Sequence, residues 1–115
     1  MFHIEKSEIT LFEGQHIRRH YNEKTETWYF SVVDIIQALT DSANPTDYLK
    51  KLRKRDAVVA NYIGTNCPHV EMIVANGKKR KMIAGNPEQL FRIIQSVPSK
   101  KAEPIKLWLA KVGKE

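Results

Sequence analysis

An Asn-Gly pair in the second half of the chain restricts its fold more than any other sequence feature. Asn76-Gly77 joins residues 70–75 to residues 78–84, and apolar residues occur on both sides of the pair. Asparagine and glycine tolerate the positive φ angles that tight hairpin turns require. The pair therefore predicts an antiparallel β-hairpin, which the rest of the fold must accommodate.

The register of this hairpin has two solutions. A two-residue turn pairs Ala75 with Lys78, whereas a three-residue, bulged turn pairs Val74 with Lys78 and places Glu71 opposite Lys81. Opposite charges that face each other across two strands are favourable, so we predict the three-residue turn. In either register the tip of the hairpin is densely positive.

Three short strands are predicted in the first 30 residues. Residues 8–13 are rich in β-forming residues, Gly14 turns or bulges the chain, and residues 15–21 resume an extended pattern. Trp28-Tyr29-Phe30 supplies the third strand. Its aromatic rings could stack on bases, but no basic residues are interleaved with them, which favours a place in the core.

Helices are predicted from capping residues and apolar periodicity. Ser31 begins the first helix, where its hydroxyl and the Asp34 carboxylate are expected to accept bonds from free backbone N–H groups. Asn44-Pro45 and Asn86-Pro87 begin the second and third helices, and the fourth follows a break at Pro98-Ser99. The predicted buried positions are Val32, Ile35, Ile36 and Leu39, then Tyr48, Leu49 and Leu52, then Leu90, Phe91, Ile94 and Val97, then Ile105, Trp108, Leu109 and Val112.

One apolar segment is ambiguous. Residues 57–63 fit either an extension of the second helix or the beginning of a strand. With the other elements, the prediction is an α+β domain in which short antiparallel strands and a basic β-hairpin pack with about four helices.

Charge divides the chain into an acidic and a basic part. Residues 1–49 contain four Lys/Arg and eight Asp/Glu, a net charge of −4, whereas residues 50–115 contain fifteen and five, a net charge of +10. The excess is concentrated in two groups. The helix block consists of Lys50, Lys51, Arg53, Lys54 and Arg55, and the hairpin block consists of Lys78, Lys79, Arg80 and Lys81. A domain that gathers like charges usually meets a polyanion.

We therefore predict the nine residues of the two blocks as contacts to double-stranded DNA. The second helix could enter the major groove while the hairpin lies against the backbone or the minor groove, and the arginines could read guanine edges. A solvated surface helix is the simpler alternative explanation of the helix block. Simultaneous contact with one duplex requires that both blocks face the same side of the fold.

Other classes of function find little support. The histidines are scattered, and Cys67 and His69 offer two potential ligands without a second pair, so we predict no metal site and no cofactor. The single cysteine excludes an internal disulfide and fits a cytoplasmic protein. No phosphate-binding loop or dinucleotide fingerprint is present, so we predict that the protein is not an enzyme. No apolar run approaches the roughly 18 residues of a membrane span.

Five stretches that occur in a fixed order carry a resemblance to a known family. They are ITLFEG at 9–14 with Ile17-Arg18, WYFSVVDIIQAL at 28–39, DYLKKLRKRD at 47–56, FRIIQS at 91–96 and AEPIKLWLAKVG at 102–113. Together they resemble the BRO-N domain of prophage antirepressors and baculovirus repeated-ORF proteins. The resemblance implies an α+β domain without enzymatic activity that binds DNA and acts in phage gene control, often by opposing a repressor.

The family's motif residues are largely apolar, so the nine predicted contacts come from charge placement alone. BRO-N domains are typically followed by a variable C-terminal region, and a strongly patterned helix runs almost to residue 115, so we expect residues 1–115 to be the N-terminal domain of a longer protein. An antirepressor can also act by seizing a repressor. The alternative function is therefore a protein-interaction module for a repressor or another acidic partner, and the sequence leaves open whether the protein is a homodimer.

Overall fold

Strands and helices follow one another in four groups along the chain: three strands, three helices, two strands and two helices. The computed structural model describes residues 6–74 and 76–114. The elements are β1 (Lys6–Phe12), β2 (Gln15–Asn22), β3 (Thr27–Ser31), α1 (Val32–Thr40), α2 (Pro45–Arg55), α3 (Ala57–Asn66), β4 (His69–Ile73), β5 (Lys79–Gly85), α4 (Pro87–Ile94) and α5 (Ala102–Val112).

The five strands form one antiparallel sheet in the order β1-β2-β3-β5-β4. The first three strands are a meander, and β5 pairs with β3 only where Phe30 meets Gly85 and Ser31 meets Ala84. The rest of the β4–β5 hairpin is not paired with β3, and its strand β4 instead approaches β1 and β2. The predicted α+β class is confirmed.

The first hairpin turn follows from two residues with positive φ. Glu13 and Gly14 have φ angles of 48° and 80°, and β1 and β2 pair without interruption from Phe12 and Gln15 outwards. Two consecutive positive φ angles are typical of the type I′ turn, whose twist matches that of the strands it joins. The turn predicted at Gly14 is confirmed.

One face of the meander shares a hydrophobic core with the helices. Phe12, Trp28 and Phe30 are buried there, and Trp108 of α5 packs against Phe12 and Phe30 with ring centroids 5.6 and 5.8 Å apart. Trp28 and Phe30 therefore belong to the core as predicted, whereas Tyr29 lies on the other face of β3 and is half-buried.

The predicted helix starts are confirmed by their caps. The Ser31 side chain accepts a hydrogen bond from the Asp34 N–H, and the Asn44 side chain accepts one from the Asp47 N–H. Asn86 forms a full capping box, because it accepts from the Gln89 N–H while the Gln89 side chain accepts from the Asn86 N–H.

Residues 57–63, ambiguous in the sequence, form the beginning of a separate helix, α3. Asp56 ends α2 and begins α3: its N–H donates to the Leu52 carbonyl, and its Oδ1 accepts from the N–H groups of Val58 and Val59. The described residues thus contain five helices rather than about four, because a capping carboxylate divides what the sequence allowed to be one long helix.

The predicted burial of Phe91 in α4 was wrong. Leu90, Ile94 and Val97 are buried as expected, but Ile93 takes the fourth position and Phe91 is only half-buried. Leu90, Ile93, Ile94 and Val97 follow the i, i+3, i+4, i+7 pattern, which places Phe91 at the edge of the apolar face. Tyr48 and Trp108 are also partly exposed, although both pack against the core.

The β4–β5 hairpin has the predicted three-residue turn. The Val74 N–H donates to the Lys78 carbonyl at 2.9 Å, and Glu71 lies opposite Lys81. Gly77 has a φ angle of 81°, a conformation in which glycine is strongly favoured. Ala75, which the two-residue turn would have paired with Lys78, lies outside the described residues.

The sheet curls so that β4 approaches β1. The Ser7 hydroxyl hydrogen-bonds His20 Nδ1 at 3.0 Å and donates to the Glu71 carbonyl at 3.4 Å, which links the two ends of the sheet. Among the helices of residues 6–74 and 76–114, none is long and apolar enough to cross a membrane.

Candidate nucleic-acid interface

Local signals fix the position of the helix block on α2. Asn44 and Pro45 set the start of the helix, and Leu49 and Leu52 are buried against the core. Four of the five cations, Lys50, Lys51, Lys54 and Arg55, are exposed, while Arg53 is half-buried. Arg53, Lys54 and Arg55 occupy the last turn, where positive charge interacts favourably with the helix dipole.

Two carboxylates are close to the helix block. Lys51 Nζ lies 3.0 Å from Asp47 Oδ2, one turn earlier on α2. Asp56 follows the block directly but turns its carboxylate to the N-terminus of α3. The charge of Lys51 is therefore partly balanced within its own helix, a contact that the sequence analysis did not consider.

The hairpin block is exposed throughout. Lys78 lies in the turn and Lys79, Arg80 and Lys81 follow in β5, with all four side chains exposed. Successive side chains of a strand point to alternate faces. Arg80, whose cross-strand partner is Met72, is therefore on one face of the hairpin, and Lys81, whose cross-strand partner is Glu71, is on the other. The block therefore presents positive charge on both faces of the hairpin.

A groove of about 320 Å³ lies between α2 and β5, and we call it the α2–β5 groove. Thr46 and Leu49 line it from α2, and Arg80 and Lys81 line it from β5. Its remaining lining residues are Arg18, Val33, His69, Val74, Met82 and Ile83. The groove thus brings the second half of the hairpin block to the same cleft as the first turns of α2.

The phase of α2 separates the helix block into two groups. Lys50 and Arg53 follow Thr46 by four and seven residues, so they share the helix face that lines the groove. Lys54 flanks that face. Lys51 and Arg55 lie about 140° and 180° from Thr46 around the helix axis. None of these cations lines the groove itself, but helical phase puts Lys50, Arg53 and Lys54 nearer to it than Lys51 and Arg55.

The charge of Arg53 acts on Cys67, which ends α3. Burial raises the pKa of the Cys67 thiol, and the charge of Arg53 acts on the same pKa in the opposite direction. Cys67 is buried and precedes Pro68 and His69, where β4 begins. Arg53 therefore lies close to the chain segment that leads into the hairpin.

Arg18 is a cation of the groove that the sequence analysis missed. Its Nε and Nη2 donate to the Asp34 carboxylate at 2.8 and 2.7 Å, and its backbone N–H donates at 2.9 Å. These bonds raise the pKa of the guanidinium above its ordinary value. The Asp34 carboxylate was predicted to accept from free backbone N–H groups at the start of α1. It does accept from one such group, but this N–H belongs to Arg18 of β2, beside which β3 gives way to α1.

A larger cavity, which shares Arg18 and Val74 with the groove, contains none of the nine predicted contacts. It measures about 580 Å³ and lies between β1, the start of α1 and the tip of the hairpin. The cavity has an apolar character because it is lined by Ile9, Ile73 and Val74. Its basic lining residues are His16 and Arg18, and the Arg18 guanidinium forms an ion pair with Asp34. Its chemistry does not suit a polyanion, so the smaller α2–β5 groove is the candidate interface.

The aromatic and metal-binding alternatives have no geometric support in the described part of the chain. Trp28 is buried, with the guanidinium carbon of Arg19 3.9 Å from its ring centroid. No group of three or more His, Cys, Asp and Glu side chains within residues 6–74 and 76–114 could hold a metal ion. His3 lies outside these residues.

Comparison with known proteins identifies a family. The family model described as BRO family, N-terminal domain, matches residues 17–113. No curated protein and no solved structure matches the chain. The matched range includes both basic blocks and every residue that lines the α2–β5 groove.

Proposed function

The chain belongs to the BRO family through a match that covers most of its length, and from this premise we propose that the domain binds double-stranded DNA at the α2–β5 groove. The observation that carries the proposal is the cleft itself: Arg80 and Lys81 line it from the hairpin, and Thr46 and Leu49 line it from α2. By helical phase, Lys50 and Arg53 lie on the same side of α2 as Thr46. Exposed cations on both sides of a groove suit a ligand with two rows of phosphates.

The dimensions of the elements suit a duplex. An α-helix of eleven residues such as α2 is about 16 Å long, and the major groove of B-DNA is about 12 Å wide. The hairpin stands beside the helix with cations on both of its faces, so it can follow the sugar-phosphate backbone next to the groove that the helix enters. Lysine contacts to phosphate position the protein, and an arginine that reaches a base edge supplies specificity.

The proposed biological role is transcription regulation of the phage type, with the domain acting as the DNA-binding part of a prophage antirepressor. The resemblance to BRO-N domains supports this role, and the cationic groove supports the DNA-binding step within it.

A salt titration tests the proposal. Fluorescence anisotropy of a labelled duplex should give a log K that falls against log salt with a slope of roughly −5, if about six phosphates are contacted. The groove variant Lys50→Gln/Lys81→Gln should reduce the magnitude of this slope by about 2, one for each lost phosphate contact.

The matched control removes two lysines elsewhere. Lys100 and Lys111 are exposed, and neither lines the groove, so Lys100→Gln/Lys111→Gln lowers the net charge equally. It should leave the slope nearly unchanged. Equal losses in both variants would mean that net charge alone drives binding, which contradicts the groove as the site.

The second candidate function is a protein-interaction module for a repressor or another acidic partner, because the same cationic surface would suit acidic side chains. The titration separates the two functions. Absence of duplex binding at about 50 mM salt, where phosphate contacts are strong, would reject the DNA proposal and favour the protein partner.

A further inference from the structure

The outer edge of β1 offers backbone groups for another strand. β1 is a terminal strand of the sheet within the part of the chain that the structure describes, and it pairs with β2 through Phe12 and Gln15 at a two-residue turn. Because hydrogen-bonded and non-hydrogen-bonded pairs alternate along an antiparallel ladder, Thr10 and Glu8 direct their backbone groups to β2. Those of Ser7, Ile9 and Leu11 point outwards.

The side chains of the same residues are apolar and accessible. Ile9 is 56% exposed and Leu11 is 55% exposed, and the alternation of a strand places both on the face of the sheet away from the core. Natural edge strands are usually protected by proline, bulges or charged side chains. Between Ser7 and Phe12, β1 has no proline and no bulge. Its two charged residues are Lys6, at the first position of the strand, and Glu8, which is engaged with Arg19 Nη2 at 3.0 Å.

The opposite edge of the sheet differs. β4 carries a charged residue, Glu71, in the middle of the strand, and the Glu71 carbonyl accepts a hydrogen bond from the Ser7 hydroxyl. One backbone group of that edge is therefore already satisfied. β1 is the edge that is better suited to pair with another strand.

We infer that β1 pairs antiparallel with β1 of a second copy of the chain, about a two-fold axis through Thr10. In this register Ile9 lies opposite the partner's Leu11, and Leu11 lies opposite the partner's Ile9. The two outward-facing pairs exchange about four backbone hydrogen bonds. A register centred on Ile9 instead places Leu11 opposite a serine whose hydroxyl already contacts His20 and Glu71.

A second copy fits this edge because the apolar positions of β1 are self-complementary under the two-fold axis. Each exposed apolar side chain therefore finds an apolar counterpart in the partner strand.

The association goes beyond the proposed function and does not depend on nucleic acid. One strand pair buries less surface than a standard interface, so we expect a weak dimer whose formation depends on protein concentration. The strand pair uses none of the residues that line the α2–β5 groove, because none of them lies in β1.

Sedimentation velocity of the 115-residue chain without DNA tests the inference. Between about 1 and 200 µM the wild type should pass from monomer to dimer. Ile9→Lys should raise the dissociation constant by at least about tenfold, since it places two charges beside the axis. Val58→Lys, at a side chain that is 66% exposed on α3, should not change it. A wild type that stays monomeric, or an Ile9→Lys variant that dimerises normally, would overturn the inference.

A disulfide tests the register. In the proposed dimer, Thr10 lies opposite Thr10 of the second copy in a non-hydrogen-bonded pair. The Cα atoms of such a pair are about 4.5 Å apart, which is within the range that a disulfide can span. In a Cys67→Ala background, Thr10→Cys should form a covalent dimer on mild oxidation, whereas Lys24→Cys in the exposed turn before β3 should not. A dimer in which Thr10→Cys fails to cross-link would refute the two-fold axis at this position.

Discussion

The Asp34 carboxylate accepts three hydrogen bonds from Arg18, two from its guanidinium and one from its backbone N–H, at 2.7 to 2.9 Å. The contact joins β2 to the first turn of α1 at the point where β3 ends. It also holds a guanidinium beside the α2–β5 groove in a fixed orientation. A bidentate pair of this kind adds geometric definition as well as energy.

We expect Asp34→Asn to lower the free energy of unfolding by about 2–3 kcal/mol, because it leaves a partly buried guanidinium without its counter-charge. The Arg18 side chain is 26% exposed and that of Asp34 is 8% exposed, so the cost is less than for a fully buried pair. Urea denaturation measures the effect. Asp47→Asn, which breaks the surface pair with Lys51, should cost less than about 1 kcal/mol. Equal costs would refute a special role for the Arg18–Asp34 contact.

The ion pair of Asp41 should make stability depend on pH. Hydrogen bonds from Lys101 and then from Gln15 hold the pKa of the Asp41 carboxyl below its ordinary value. Because the pKa is lower in the folded state, this stabilisation is present above the unfolded pKa, near pH 4, and is lost as the pH falls through the folded pKa.

We expect Asp41→Asn to have a lower Tm than the wild type at pH 7 and nearly the same Tm at about pH 2. Asparagine tolerates the φ angle of 56° at this position, so the backbone is not strained. Thermal denaturation followed by circular dichroism gives both values. A Tm difference that persists at low pH would show that the carboxylate charge is not its cause.

Two substitutions of Asp56 should separate stability from DNA affinity. Asparagine caps helices about as well as aspartate, so Asp56→Asn should keep the stability nearly unchanged. It also removes the anion that follows the helix block, which should tighten DNA binding a few-fold at low salt. Asp56→Ala removes the same charge and also the acceptor for Val58 and Val59, and should lower the free energy of unfolding by about 1 kcal/mol. Anisotropy titrations and urea denaturation of both variants check the two effects.

The helix phase of α2 predicts which of its cations bind DNA. Lys50→Gln/Arg53→Gln should reduce the magnitude of the salt slope by about 2, whereas Lys51→Gln/Arg55→Gln should change it by less than about 1. Each variant loses one lysine and one arginine, so net charge is matched. The same slope in both variants would show that the groove side of α2 is not preferred.

Features with local causes could be predicted from the sequence. Ser31, Asn44 and Asn86 cap helices because their side chains reach N–H groups three residues further along the chain. The hairpin register followed from Asn76-Gly77 and from one cross-strand charge pair. These interactions need no knowledge of the distant chain.

Long-range packing could not be predicted in the same way. Arg18 and Asp34 are separated by a strand and a turn. Because β3 ends before it can pair with the Arg18 N–H of β2, the Asp34 carboxylate of α1 accepts this hydrogen bond instead. No local sequence signal indicates this contact. Likewise, Lys50 is expected to be nearer to the groove than Lys51 only because of where the hairpin lies relative to α2. Charge along the sequence identified the basic blocks, but only the fold shows which of their members share a groove.

The attachment of β5 to β3 at only Phe30–Gly85 and Ser31–Ala84 has a mechanical consequence. The hairpin is also held away from this base, where the Glu71 carbonyl meets the Ser7 hydroxyl of β1 and where Met72 is buried. A displacement of the cationic half of the hairpin would therefore be transmitted to β1, so the two edges of the sheet are mechanically coupled.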